Sequence, residues 1–297
     1  MNVIHIIGTC NGLVCLYNYF FDDPLYIYNP FTIEYIELPR LDVSPNSVCR
    51  VVFGFGFCRK VNEYKVVKIL YYKQANNDFV GGAPEAIVLS TKTPTWRKIG
   101  KISYDLTGPT SEALVDGKLH WLTFDIVHED VKYREIISFD LETDQFQVVP
   151  RPSCGGLNRI NYHLLTVRGC LSAVVSCNGG SNEIWVMKEY NVRTSWRKEM
   201  IITSYVPQGL RLNMAPPARR KKNGYLGRRF RVLCVLKNGE LLLLYQCRCI
   251  VSYNPDTGEF KDVNFQGLPL EFLAFVHVGS LISTNRISGV QNPSQAE

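Results

Sequence analysis

The residues of this sequence that could do chemistry do not form a recognisable catalytic or metal-binding motif. No two of the five histidines have the i, i+4 spacing of paired metal ligands, and the ten cysteines include no Cys-x-x-Cys pair. The histidines are His5, His120, His128, His163 and His277. We therefore expect no metal and no cofactor. We expect strand histidines whose polar tips reach backbone groups, and cysteines that remain reduced thiols within apolar strands.

Motifs of hydrolytic and phosphate chemistry are also missing. The sequence has no Gly-x-Ser-x-Gly and no carboxylate pair at matching strand ends, and Asp22-Asp23 and Glu129-Asp130 fit solvated turns. Gly54-Phe55-Gly56 resembles part of a phosphate loop, but neither a helix nor Gly-Lys-Ser/Thr follows it. Glycines that let strands pack closely near a central axis are the favoured interpretation.

The charge distribution disfavours nucleic acid and membrane partners. The net charge is +6, and Arg219-Arg220-Lys221-Lys222 is a basic run without interleaved aromatic residues. That run fits a solvated loop, a nuclear-import patch or a contact for an acidic partner. No apolar stretch reaches the roughly 18–20 residues of a membrane span, and no basic flank precedes the apolar N-terminus as in a signal peptide. We expect a cytoplasmic or nuclear protein, or one found in both.

One strand–turn–strand pattern recurs five times along the chain. In its first copy, residues 26–39, an apolar run ends at Asn29-Pro30 and a threonine precedes a second short strand. The threonines are Thr32, Thr93, Thr143, Thr194 and Thr257. An aromatic residue follows each one, namely Tyr35, Trp96, Phe146, Trp196 and Phe260, and we interpret these aromatics as packing between repeats. Such spacing, with several strands per repeat, is typical of propeller blades.

The repeats predict an all-β fold. We expect a β-propeller with five sequence modules, which form five or six blades of four antiparallel strands. Asn11-Gly12 and Asp116-Gly117, each between apolar runs, predict tight hairpins. Residues 272–278 and 280–283 predict a C-terminal strand that closes the ring. The propeller domain is therefore 1–284, and the polar residues 285–297 are predicted to be a disordered tail.

Several motifs, in this order, resemble the F-box-associated domain of plant F-box proteins. They are Gly8-Thr9-Cys10-Asn11-Gly12, Tyr28-Asn29-Pro30-Phe31-Thr32, Glu37-Leu38-Pro39, Phe53-Gly54-Phe55-Gly56-Phe57 and Glu63-Tyr64-Lys65-Val66-Val67. The resemblance covers roughly residues 3 to 283. It implies a propeller of the kelch-like kind.

The resemblance also implies a function. In that family the domain recruits a target protein to an SCF-type cullin-RING ubiquitin ligase, and an N-terminal F-box binds the Skp-family adaptor. This sequence starts almost directly on the first propeller strand, so we expect no F-box here, and adaptor and cullin binding only if one lies upstream. The chain would be a non-catalytic substrate receptor. The alternatives are an F-box-less scaffold or decoy for the same target and, less favoured, a propeller glycan hydrolase or lyase.

The contacts to a target are predicted to lie in connections that differ between modules, on one face of the propeller. The candidate substrate-binding residues, chosen by loop position, are Arg40, Asn46, Asp78, Phe79, His128, Arg151, Arg211 and Arg220.

Overall fold

A computed structural model shows a five-bladed propeller of four-stranded antiparallel sheets, as the repeats predict. The structure describes residues 4–18, 24–41, 47–74, 77–80, 82–124, 126–128, 131–154, 162–177, 181–205, 207 and 230–287, with the backbone alone at 18, 74, 77–80, 126–128 and 131–133. Within this part, no helix is both long and apolar enough to cross a membrane.

Each blade contains four consecutive ladder strands. Blade 1 has β1 Ile4–Cys10, β2 Leu13–Asn18, β3 Leu25–Asn29 and β4 Glu34–Glu37. Blade 2 has β5 Val48–Cys58, β6 Glu63–Gln74, β8 Glu85–Ser90 and β9 Trp96–Lys101, with β7 Asn77–Val80 paired to β6. Blade 3 has β10 Ala113–Val115, β11 Lys118–Leu122, β14 Ile136–Asp140 and β15 Gln145–Val149, and a separate hairpin, β12 Ile126–His128 and β13 Val131–Tyr133. Blade 4 has β16 His163–Val167, β17 Cys170–Ser176, β18 Asn182–Met187 and β19 Trp196–Ile202. Blade 5 has β20 Phe230–Val235, β21 Leu241–Tyr245, β22 Cys249–Tyr253 and β23 Phe260–Val263.

Local sequence explains the turns that join the inner strands. Asn11 and Gly12 have φ angles of 50° and 82°, and Asp116 and Gly117 have 49° and 68°. Two successive residues with positive φ match the right-handed twist of the strands they join, which is why Asn-Gly and Asp-Gly suit such hairpins. Both predicted hairpins are confirmed.

The hydrophobic core lies between neighbouring blades. Four clusters of buried residues fill the interfaces of blades 1 and 2, 2 and 3, 3 and 4, and 4 and 5. A Cβ added to Gly54 of β5 would lie 2.7 Å from Leu119 Cδ1 and 2.8 Å from Trp121 Cζ2 of blade 3. Glycine therefore permits close approach of blades here, as the sequence predicts.

The repeated aromatic residues have mixed roles. Trp96 Nε1 donates to the Pro39 carbonyl at 2.8 Å, and Trp196 Nε1 donates to that of Pro150 at 2.9 Å, so each indole joins its blade to the preceding one. Phe146 packs on Phe139, and Phe260 stacks on Tyr205, with ring centroids 4.7 and 4.2 Å apart. Tyr35 is 61% exposed, so its prediction as a packing residue is wrong. Its ring contacts Tyr26 of the same blade, with centroids 6.0 Å apart, and does not pack between blades.

Ring closure does not use a C-terminal strand. Residues 264–283 contain no strand, although the sequence predicts strands at 272–278 and 280–283. The segment crosses the end of blade 1 and forms no ladder with its strands. Side chains hold its backbone instead: Asn29 Nδ2 donates to the carbonyls of Ser280 and Ile282 at 2.9 and 2.7 Å, and Thr9 Oγ1 donates to that of Val276 at 2.9 Å.

Two further expectations need correction at their boundaries. The predicted tail begins at 285, but Asn285 and Arg286 belong to the 3-10 turn Thr284–Arg286. Residues 288–297 lie outside the described residues. Residues 73–84 are polar and glycine-rich, which predicts an exposed loop. They include instead the end of β6 and the paired strand β7, because β6 continues beyond the body of the sheet.

Candidate functional site

The two faces of the propeller carry different kinds of connection. Strands alternate in direction within each blade, so the turns after the first and third ladder strands meet at one face, which we call the turn face. These connections are 11–12, 30–33, 59–62, 91–95, 116–117, 141–144, 168–169, 188–195, 236–240 and 254–259. The opposite face, the loop face, carries the links between blades and the connections between second and third ladder strands. Most of these are longer, including 38–47, 75–84, 102–112, 123–135, 150–162 and 203–229.

The predicted site residues that the structure describes belong to the loop face. Arg40 is exposed and Arg151 is half-buried, in the links that leave blades 1 and 3. Asp78 and Phe79 lie on β7 and His128 lies on β12, where the backbone alone is described. Asn46, Arg211 and Arg220 lie outside the described residues. The backbone thus places the five described candidates at one end of the molecule, and their role in binding remains a prediction.

Two β-hairpins extend from the loop face of neighbouring blades. β7 continues the ladder of β6 through the pairs Lys73 with Val80 and Gln74 with Asn77. β12 and β13 form their own two-stranded sheet between β11 and β14 of blade 3. Loops placed on a rigid scaffold are common sites of binding, so the surface between these hairpins is a candidate contact area.

The half-buried Arg50 and the exposed Phe124 form a pair beside the hairpins. The Arg50 guanidinium carbon lies 3.7 Å from the Tyr71 ring centroid and 5.1 Å from that of Phe124, and Phe124 is 43% exposed. Arg50 also donates to the Leu106 carbonyl at 2.6 Å and forms an ion pair with Asp105. Planar stacking with several hydrogen bonds fixes the guanidinium in one orientation.

Tyr71 supports this pair from below. Its hydroxyl accepts a hydrogen bond from Leu106 N at 2.8 Å and donates to the Tyr104 carbonyl at 3.2 Å. Burial raises the pKa of Tyr71 to about 12, so the ring stays neutral at physiological pH. The resulting surface is rigid, aromatic and cationic. Arginine and large aromatic residues in such settings dominate the energetics of many protein interfaces.

No local sequence pattern reveals this pair, because its two members are far apart in the chain. Arg50 lies near the start of the long inner strand of blade 2, whereas Phe124 follows a buried strand of blade 3. One local signal was available: Phe124 is an exposed aromatic residue that directly follows the buried run at 119–123.

The inner strands are joined by buried polar side chains. Glu112 Oε2 accepts a hydrogen bond from Leu164 N at 2.7 Å, which joins blades 3 and 4. His163 Nε2 accepts one from Val232 N at 3.0 Å, which joins blades 4 and 5 and confirms the expected backbone role for this histidine. These bonds stiffen the ring that carries the loop face.

A cavity of about 790 Å³ lies along the propeller axis. The inner strands line it, and the C-terminal residues 274–282 cross it. The acid in its lining, Glu112, accepts a hydrogen bond from Leu164 N. Within the described ranges, no group of three or more histidine, cysteine or acidic side chains is arranged to hold a metal ion. The ten cysteines, all of them described, form no disulfide.

Comparison with known proteins gives consistent matches. The family described as the F-box associated beta propeller domain matches residues 1–285. An F-box protein of Arabidopsis thaliana is 44% identical over 292 residues, which are 93% of this chain and 69% of the relative. An F-box/kelch-repeat protein of the same plant is 31% identical over 203 residues, 66% of this chain and 52% of the relative. A further F-box protein of Arabidopsis thaliana is 28% identical over 214 residues, 65% of this chain and 51% of the relative. The chain therefore spans about two thirds of the length of the first relative and about half that of the others.

Proposed function

The chain belongs to the family of F-box associated beta propeller domains, and we propose on this basis that it is the substrate-recognition module of an SCF-type ubiquitin ligase. In this role it contributes no catalysis. It holds a target protein near the ligase, which raises the local concentration of acceptor lysines. The Skp-family adaptor and the cullin are partners of the full assembly, reached through an F-box.

The observation that carries this proposal is the difference between the two faces. Short turns join the strands at one face, whereas the longer connections and two hairpins belong to the other. The exposed Phe124, stacked with Arg50, lies among them. A rigid ring that presents variable connections and a preorganised aromatic and cationic anchor is suited to binding a protein surface.

Substitution of this anchor tests the proposal. Tagged wild-type chain and the variant Phe124→Ala would be expressed in plant cells, and captured proteins and their ubiquitin-modified lysines would be quantified. We expect capture of the target to fall at least about tenfold, because removal of a hot-spot residue costs about 2 kcal/mol or more. Arg50→Lys, which keeps the charge and loses the planar stacking, should also lower capture of the target.

The matched control replaces an exposed apolar residue away from the loop face. Val148→Ala alters β15, at the outer edge of blade 3, where 47% of the residue is exposed, and should leave capture unchanged. Equal capture by wild type and Phe124→Ala would contradict the proposed anchor. If a target depends on Phe124 for capture but its ubiquitination does not respond to depletion of the protein, the scaffold or decoy function is favoured instead.

A further inference from the structure

A second candidate binding site lies on the turn face, opposite the surface proposed for target recruitment. It is a cleft of about 400 Å³ between blades 1 and 2 and the C-terminal turn. Its apolar lining includes Phe57, Tyr64, Ile282 and Ile287. This volume and mixed lining fall within the range of ligand pockets, which combine apolar walls with a few polar groups.

The cleft carries a net positive charge. Lys92 and Arg286 line it, and both residues are exposed. The acid in its lining, Glu63, accepts a hydrogen bond from Ser90 and has one carboxylate oxygen 3.8 Å from the buried Lys65 Nζ.

Arg286 also interacts electrostatically with Glu34, an acid outside the lining of the cleft. Hydrogen bonds from Ser283 and Thr284 hold the pKa of Glu34 below its usual value, and the charge of Arg286 makes a smaller contribution. The Glu34 carboxylate is therefore occupied by its hydrogen bonds to the C-terminal turn. Lys92 Nζ donates one hydrogen bond to the Val61 carbonyl, so its remaining N–H groups and the Arg286 guanidinium are the donors that face an incoming ligand.

Ring closure assembles this cleft. Ile282, Arg286 and Ile287 come from the C-terminal segment, whereas Tyr64 and Lys92 come from blade 2. The segment is positioned by Asn29 and by Thr284 N, which donates to Glu34 Oε2 at 2.9 Å. The cleft is therefore part of the closed ring and cannot form when the segment is detached.

Exposed apolar residues continue from the cleft along the same segment. Val278 is 76% exposed, Leu281 is 79% exposed and the neighbouring Phe31 is 65% exposed. Phe31 contacts the segment at Gly279, where an added Cβ would lie 3.3 Å from its ring. Contiguous exposed apolar surface of this kind marks protein interaction sites.

We propose that this cleft binds a peptide segment of a partner protein that carries a large apolar side chain next to an aspartate or glutamate. The apolar side chain enters between Tyr64 and Ile287, and the carboxylate pairs with Arg286 and Lys92. The site is independent of target recruitment, because it occupies the other face. A regulatory or assembly partner could therefore bind while a target is held.

Selection from a random dodecapeptide library displayed on phage tests this proposal. The full chain serves as bait, and enriched peptides are measured by fluorescence polarisation against the wild type and the double variant K92E/R286E. We expect enriched peptides to share an acidic residue beside Leu, Ile, Met or Phe. Affinity for the double variant should fall at least about tenfold, as for loss of charge-assisted hydrogen bonds. Changing the acidic residue of the peptide to its amide should have a similar effect.

The matched control reverses the charge of two exposed lysines of blade 5. K237E/K261E makes the same change in net charge and should leave affinity within about twofold. Unchanged thermal unfolding of both double variants shows that the fold is retained. The proposal is overturned if no enriched peptide is sensitive to K92E/R286E, if the sensitive peptides lack acidic residues, or if the control variant weakens them equally.

Discussion

The Asn29 side chain holds the C-terminal segment against blade 1, and its removal should release that segment. Its Nδ2 group donates to the carbonyls of Ser280 and Ile282, and its Oδ1 atom accepts a hydrogen bond from Phe31 N at 2.9 Å. The residue is fully buried. Asn29→Ala would therefore leave two carbonyls of the C-terminal segment and one amide of the turn without their partner.

The expected loss of stability can be worked from these bonds. A protein hydrogen bond contributes about 1 kcal/mol net, and a buried group left unsatisfied costs about 1–3 kcal/mol. Allowing for partial relaxation of the segment, we expect Asn29→Ala to lower the free energy of unfolding by about 2–4 kcal/mol. In a chain of this size, that corresponds to a fall in the melting temperature of roughly 3–6 °C. Circular dichroism on heating would measure it.

The equivalent asparagine of blade 5 provides the control. Asn254 Oδ1 accepts hydrogen bonds from Asp256 N at 2.9 Å and Thr257 N at 3.2 Å, and it belongs to the same kind of Asn-Pro turn. Asn254→Ala should cost about 1 kcal/mol or less, because its bonds stay within one exposed turn. Hydrogen exchange of 274–287 should accelerate in Asn29→Ala alone. Equal melting temperatures and equal exchange in the two variants would refute the closure mechanism.

Two further predictions concern the blade interfaces. Burial lowers the pKa of His120, whose Nε2 lies 2.8 Å from Tyr190 Oη, to about 4. Since the unfolded chain binds this proton more readily, stability is fully present above about pH 6.5 and is lost as pH falls towards 4, by up to about 3 kcal/mol. Urea unfolding across this pH range should show the loss of stability in the wild type and a smaller loss in His120→Gln. Parallel profiles of stability against pH in the two proteins would contradict the assignment to His120. Gly54→Ala should destabilise by about 1–3 kcal/mol in the same assay at pH 7, because its Cβ meets Leu119 and Trp121; unchanged stability would show that the interface relaxes freely.

The blade count and the turns were predictable because they depend on neighbours in the chain. Alternation of apolar residues sets which side of a strand is buried, as in Leu25–Asn29, where every second residue is buried. Asn11-Gly12 and Asp116-Gly117 adopt positive φ angles that few other residues accept. The threonine and aromatic repeat then located five similar units, and the structure has five blades.

The end of the chain was less predictable. Residues 272–283 are apolar enough to resemble strands, yet pairing requires an open strand edge, and the segment crosses the end of blade 1. Asn29 was recognised as the start of a turn. Its second role, as donor to Ser280 and Ile282, depends on groups about 250 residues away. No local pattern encodes that distance.

The sequence by itself determined the strands of the five blades, two of the tight hairpins, the repeat and the family, because periodicity and turn chemistry act over a few residues. Tertiary structure alone decided how the ring closes and which side chains meet on its faces. Arg50 and Phe124 stack across two blades, and Arg286 comes near Lys92 only after the ring has closed. The physical reason is that such contacts depend on the relative placement of whole sheets, which the packed interfaces between blades determine.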